Sequence, residues 1–181
     1  RRFTLRDGRV ATIRAIAPAD AAEIIEAFAR LSSESRYMRF GEHKKTLDPE
    51  CVDRSTRPVP GREFAIVATT PAAHHEGFDI DEGFDIVGVA HYVPAHERED
   101  TCEFGVTVAD DWQQGGLATT LMRSLIRRAQ RDGFHAIEGE VLASNAAMLA
   151  LARHLRFRIA PVPGDATRCS ARRELRRRRS S

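Results

Sequence analysis

A chain of 181 residues with 42% hydrophobic and 30% charged side chains is long enough to bury a core of its own and too apolar to remain disordered. Its longest unbroken apolar run covers seven residues, 146–152, against the about 20 that a membrane-spanning helix needs. No membrane span is expected, and a net charge of +2 excludes a chain dominated by one sign of charge.

In chain order, residues 9–14 (RVATIR) alternate apolar with polar and predict a strand. Pro18 and Asp20 open a helix that carries Ile24, Ile25 and Phe28 on one side. Serine caps begin a second short helix over residues 32–40. Residues 64–68 (FAIVA) and 85–93 (DIVGVAHYV) predict buried strands joined by a long loop. That loop contains a duplication, EGFDI at residues 76–80 and again at 82–86. Two copies do not make a repeat fold, and we read a local loop expansion. Residues 101–108 (TCEFGVTV) alternate, with Cys102, Phe104, Val106 and Val108 on one face and Glu103 on the other. A turn over residues 110–116 leads into a helix whose Leu117, Leu121, Leu125 and Ala129 recur every four residues. Asp132 and Gly133 stop it. A strand follows over residues 136–141, then a helix over 146–155 capped by Ser144 and Asn145. Two closing strands, 157–159 and 168–175, flank a proline-rich turn at 161–164. This order predicts an α+β sheet with helices on both faces.

Three cysteines, Cys51, Cys102 and Cys169, form neither a disulfide framework nor a zinc pattern, and a reducing, cytoplasmic setting is expected. The charge is uneven. Residues 168–181 hold seven arginines and one glutamate; without them the body carries 21 basic and 25 acidic residues, a net of −4. The run Arg176–Arg179 reads as a solvated tail, with no nucleic-acid motif beside it. The chain starts at Arg1 rather than Met, so a further upstream segment is expected.

The stretch that carries chemistry is residues 106–121. A strand runs into Gln113, Gln114, Gly115, Gly116, Leu117, Ala118 and Thr119, and then a helix. Glycines at such a junction let the backbone approach a ligand, and the helix start offers unpaired N–H groups. By mechanism alone this says only that a phosphate-bearing ligand fits. The spaced glycines of a dinucleotide fold and the lysine of a P-loop are both missing.

The same stretch resembles the signature of the GNAT acetyltransferase superfamily, Arg/Gln-x-x-Gly-x-Gly/Ala, with Gln113, Gly116 and Ala118 in the three positions. The resemblance implies a mixed, mostly antiparallel sheet whose central strand pair splays to bind acetyl-CoA, with no metal. It places Gln113, Gln114, Gly115, Gly116, Leu117, Ala118 and Thr119 on the pyrophosphate. It pairs Val106 and Val108 with the pantetheine arm through backbone groups, and gives Asn145 a bond to that arm. Residues 31–40 (LSSESRYMRF), and 103–108 (EFGVTV) followed by Trp112 and Gln113, are similar to bacterial protein lysine acetyltransferases. The domain implied spans residues 3–175, followed by a basic tail at 176–181. There are departures. Gln114 and Gly115 stand where the subgroup has a glycine-arginine pair, and Arg156 where the family often has glycine. Ala152 stands where many relatives carry a general-acid tyrosine, so the leaving thiolate takes its proton from water or another group.

Amine acetylation needs a neutral amine, and only about one lysine in a few thousand is neutral at pH 7. A carboxylate near the reacting centre removes the extra proton. Glu103 stands where the resembling subgroup has its general base; read by alternation alone, it is equally an exposed strand glutamate. Cys102 falls on the apolar face and reads as an inert thiol rather than a nucleophile. His91 with His96, and His74 with His75, lack a third ligand for a metal. Arg123, Arg127 and Arg131 form a helix stripe that either reaches a cofactor phosphate or faces solvent. Tyr37 and Trp112 read as packing residues. The leading expectation is acetyl transfer from acetyl-CoA to a lysine side chain of a partner protein. The alternatives are a small-molecule amine acetyltransferase, a non-catalytic acetyl-CoA sensor and, resting only on the tail, a nucleic-acid module. The oligomeric state is not legible.

Overall fold

The computed structural model describes residues 1–72 and 83–175. The first EGFDI copy, His74, His75 and the Arg176–Arg179 run lie outside the described residues. Among the described residues one eight-stranded sheet runs in the order β1-β2-β3-β4-β5-β6-β8-β7. Its strands are β1 (Arg2–Thr4), β2 (Val10–Ala15), β3 (Phe64–Pro71), β4 (Phe84–Pro94), β5 (Thr101–Val108), β6 (Ala136–Leu142), β7 (Arg158–Val162) and β8 (Asp165–Glu174). The helices are α1 (Ala21–Arg30), α2 (Ser33–Phe40), α3 (Pro49–Ser55), α4 (Leu117–Arg131) and α5 (Ala146–His154). All neighbouring strands are antiparallel except β5 and β6.

The α4 face of the sheet holds the main core. Leu117, Leu121, Met122, Leu125 and Ala129 are all at most 1% exposed, as are Ala68, Ala90, Tyr92 and Cys102 from β3, β4 and β5. Gly88 of β4 leaves room for this helix, since a Cβ there would sit 3.0 Å from a methyl of Leu121. Two elements exceed the sequence reading. β1 is three residues long, too short to show alternation. α3 starts at an Asp48 cap, whose side chain accepts the Glu50 N–H at 3.0 Å, with Pro49 at its first position.

α2 lines the cleft described below, and α1 packs on α3 and β4. Arg14 donates two hydrogen bonds to Asp20, at 2.8 and 2.7 Å, and Asp20 also accepts the Ala17 N–H at 2.7 Å. Asp20 is 1% exposed. The Arg14 hydrogen bonds, helped by the Ala17 N–H, hold its carboxyl below the usual carboxylate range. A depressed folded value means that the stabilisation is present above the unfolded value and is lost as pH falls through the folded one. Asp20→Ala should cost about 2–3 kcal/mol, less than the loss of a fully buried pair because Arg14 remains partly exposed and rehydrates. Urea denaturation checks the cost. The gap between parent and variant should close as the pH drops below 4.

α2 is a clean local unit. Ser32 caps it by accepting the Ser35 N–H at 3.1 Å, and Gly41 ends it at φ 69°. Two long-range bonds tie it to the chain after β5. The Ser32 N–H donates to Asp110 at 3.2 Å, and the Gln113 side-chain amide donates to Ser35 Oγ at 3.2 Å.

Candidate active site

β5 and β6 pair only over Thr101–Glu103 and Ala136–Glu138. Beyond that they part. Phe104 acts as the wedge. Its ring lies over Gly139 of β6, where a Cβ would approach it to 2.8 Å, and packs edge-on against Phe157 at 5.4 Å.

The register shows which backbone groups the split leaves open. The Ala95 N–H bonds to Thr101 O and the Ala109 N–H to Val87 O. Odd-numbered residues of β5 therefore exchange hydrogen bonds with β4, while Val106 and Val108 turn their N–H and C=O away from it. On the other wall the Ala143 N–H bonds to Thr167 O and the Leu175 N–H to His135 O. Odd residues of β6 face β8, and Glu140 turns its peptide groups into the gap. The result is a cleft of about 680 Å³ between two strand edges, lined by Val106, Val108 and Glu140 among others.

The loop after β5 closes one end. Trp112 is buried, with the Arg9 guanidinium stacked 4.5 Å above its ring and bonded to Asp111 O at 2.7 Å. The Gln113 side-chain amide donates to Val108 O at 3.1 Å and so fastens the loop to the strand. Gln114 and Gly116 both take left-handed backbone, at φ 62° and 90°. Gly115 packs on Leu5, where a Cβ would come within 2.7 Å. Leu117 drops into the core, and the first bond of α4 runs from the Thr120 N–H to Gly116 O at 3.1 Å. The N–H groups of Leu117, Ala118 and Thr119 have no partner inside the helix and form a site for a negative charge. Gln113, Gln114, Gly116, Ala118 and Thr119 line the cleft, whereas Gly115 and the Leu117 side chain serve packing.

At the opposite wall Asn145 caps α5, its Oδ1 accepting the Met148 N–H at 3.1 Å. Its Nδ2 is the group left to meet a ligand in the cleft. Ala152 is 1% exposed and faces the core. α5 turns Met148 and Leu151 to the cleft instead, and neither carries a proton to give.

Glu103 sits where β5 and β6 part, one residue before β5 begins to line the cleft. It shares a face with Glu138 and Glu140 of β6. Glu138 is held by Arg98 at 2.9 Å and Arg172 at 2.9 Å, and Glu140 by Arg168 at 3.1 Å. The exposed Glu103 side chain has no ion pair or hydrogen bond among the described residues. Sequence reasoning found Glu103 but missed this contrast, because Arg98 and Arg172 reach Glu138 from distant parts of the chain. It also missed Arg39 of α2, which lines the cleft. His91 lies beside it, and burial, aided by the Arg39 charge, pushes its imidazole down to about 4.

Cys102 is fully buried, and burial raises its thiol to about 12. It is a core residue, not a nucleophile. Cys102→Ala should keep most of the parent's turnover while costing about 1–2 kcal/mol of stability from the cavity. Initial rates and thermal melting check both. Arg123, Arg127 and Arg131 are exposed, and none lines the cleft. Among the described residues no group of three or more His, Cys, Asp or Glu could hold a metal, and no helix is long and apolar enough to cross a membrane.

A sheet split between two parallel strands, with an anion-binding helix start at its mouth, fits an extended, phosphate-bearing ligand. The chain belongs to the acetyltransferase (GNAT) domain family, whose model matches residues 11–158. It is 34% identical over 164 residues to an acetyltransferase of Pseudomonas aeruginosa, covering 91% of this chain and 83% of that one. Among solved structures it is similar to the GNAT domain of PAT from S. lividans, at TM-score 0.81 and 22% identity, covering 97% and 96% of the two chains. A phosphinothricin acetyltransferase from Sinorhizobium meliloti, in complex with AcCoA, matches at TM-score 0.68 and 18% identity, covering 91% and 88%.

Proposed function

We propose that this acetyltransferase moves the acetyl group of acetyl-CoA to a primary amine, with a lysine side chain of a partner protein as the acceptor and Glu103 as general base. The observation that carries the reading is the contrast among the carboxylates at the split: Glu138 and Glu140 are bound to arginines, and Glu103 is not. The cleft fits acetyl-CoA on its own geometry. The open N–H and C=O of Val106 and the open N–H of Val108, whose carbonyl is taken by Gln113, suit the amides of a pantetheine arm, and the free N–H groups at the start of α4 suit a pyrophosphate. Asn145 Nδ2 adds a donor beside the arm.

Bound acetyl-CoA supplies an acetyl group already activated as a thioester. The chain holds it along β5 and keeps its phosphates at the loop. Glu103 takes a proton from the acceptor's ammonium group, so that the freed nitrogen lone pair would attack the thioester directly and form the amide bond as the C–S bond breaks. The departing thiolate would take its proton from water, since α5 turns no acidic side chain to the cleft, and the exposure of Glu103 lets its own proton pass on to solvent. The protein-lysine acceptor is supported by the likeness of residues 31–40 and 103–113 to bacterial protein lysine acetyltransferases. A small-molecule amine is the second reading, favoured by the similarity to the phosphinothricin enzyme.

Incubation with radiolabelled acetyl-CoA and a lysate of the protein's own host tests the acceptor. The expected result is label on lysine Nζ of discrete proteins, dependent on the added enzyme. Label confined to small amines would replace the protein acceptor with the second reading.

A further inference from the structure

Arg39 is the anomaly of the cleft. It belongs to the last turn of α2, is half-buried, and lines the cleft wall. Its guanidinium has no ion pair and no hydrogen bond among the described residues. It packs on the ring of its own neighbour Phe40, at 5.0 Å. Arg98 and Arg172 are held by Glu138 and Arg168 by Glu140, while Arg6, which also lines the cleft, is exposed and hydrated. An arginine cannot shed its proton, so a cation is kept partly out of water with nothing to neutralise it, an arrangement that costs stability unless a ligand completes it.

The sheet makes room for this group. Gly105 of β5 lies directly beneath it. A Cβ there would run into the Arg39 guanidinium and come within 2.6 Å of His91 Cε1. His91, neutral at physiological pH because of its burial, brings no competing charge. Gly105 is two residues beyond Glu103 on the same face of β5, a spacing of about 7 Å along a strand. An unpaired carboxylate and an unpaired guanidinium thus stand side by side without bonding each other. That pattern is complementary to a molecule that carries a positive amine and a negative group close together.

We propose that Arg39 is a specificity-determining residue that binds a carboxylate of the acceptor, so that the preferred amine has a carboxylate beside it. The inference rests on the reading of the cleft as an amine-acetylating site. The carboxylate is either the main-chain carboxylate of a free amino acid or the side chain of an acidic residue next to an acceptor lysine.

Two matched acceptor pairs test it, each differing only in the carboxylate. One is Nα-acetyl-lysine against Nα-acetyl-lysinamide. The other is a short peptide with one lysine flanked by glutamate against the same peptide with glutamine. A charge-assisted bond to a guanidinium should give the parent a 10- to 100-fold preference in kcat/KM, roughly, for the carboxylate member of at least one pair. Preference in the first pair assigns a main-chain carboxylate, and in the second an acidic neighbour. Arg39→Gln should bring the ratio to within about threefold of one, and Arg39→Lys should restore part of it. A structural role would lower both members of a pair together and leave the ratio intact. That result, or a parent ratio near one in both pairs, overturns the proposal. The parent ratios decide alone if Arg39→Gln does not fold. If no acceptor is turned over, the acetylation reading fails separately. The inference is then judged by calorimetric binding of the same pairs to the CoA-bound protein, equal affinity within both pairs overturning it.

Discussion

Glu103→Gln should lower the acetylation rate by about 10²–10⁴-fold, equivalent to roughly 3–5 kcal/mol of barrier, and leave acetyl-CoA affinity nearly unchanged. The glutamine keeps the size of the side chain and its hydrogen bonding but cannot accept the acceptor's proton. The two carboxylates beside it on the sheet cannot take over, because Glu138 and Glu140 are tied to Arg98, Arg172 and Arg168, and a Glu34→Gln control, which should keep the parent rate, covers the carboxylate on the α2 wall of the cleft. Glu103 has no contact among the described residues whose loss would unfold the site. Raising the pH should partly rescue the variant, since more of the amine is then neutral without help. Steady-state rates across pH, with calorimetry for acetyl-CoA, separate the two effects. A variant within about twofold of the parent at neutral pH, with the chemical step shown to limit the rate, would remove Glu103 from the mechanism.

Gly116→Val should weaken acetyl-CoA binding by at least about tenfold. Gly116 is the residue before α4 and sits at φ 90°, ψ 1°. A β-branched side chain pays about 1–3 kcal/mol to hold such backbone. The loop would relieve that strain by turning the first N–H groups of α4, which border the cleft, out of position. Space inside the protein does not limit the change, as the nearest atom to a Cβ would be on Phe3 at 3.8 Å. The fold should therefore survive while the anion site is lost. Calorimetry with acetyl-CoA, alongside a melting curve, measures this. Unchanged affinity would mean that the pyrophosphate lies elsewhere.

The strand that carries the site was legible because its side chains alternate. Residues 101–108 read as a strand, and β5 is Thr101–Val108. The α4 stripe was equally plain from its spacing. The loop between them reads as a candidate phosphate site from its glycines, and only the structure separates Gly116, which lines the cleft, from Gly115, which packs on Leu5. What stayed hidden depends on pairing across the chain. β8 delivers Arg172 to Glu138 and Arg168 to Glu140, and no local pattern marks those partners. The same holds for Arg39, whose importance lies in lacking a partner. Ala152 was matched to a catalytic position by resemblance, yet α5 turns Leu151 rather than Ala152 to the cleft. A shift of one residue on a helix moves a side chain by about 100°, which matching by sequence does not register.

In the proposed binding mode the donor lies along the open edge of β5. Residue-resolved amide hydrogen exchange, with and without acetyl-CoA, tests it most directly. The Val106 and Val108 amides face the cleft, whereas those of Gly105 and Thr107 are bonded to β4. Acetyl-CoA should slow exchange at Val106 or Val108, and at the first amides of α4, and change Gly105 and Thr107 little. Saturating acetyl-CoA that leaves Val106 and Val108 exchanging at their free rates would contradict it.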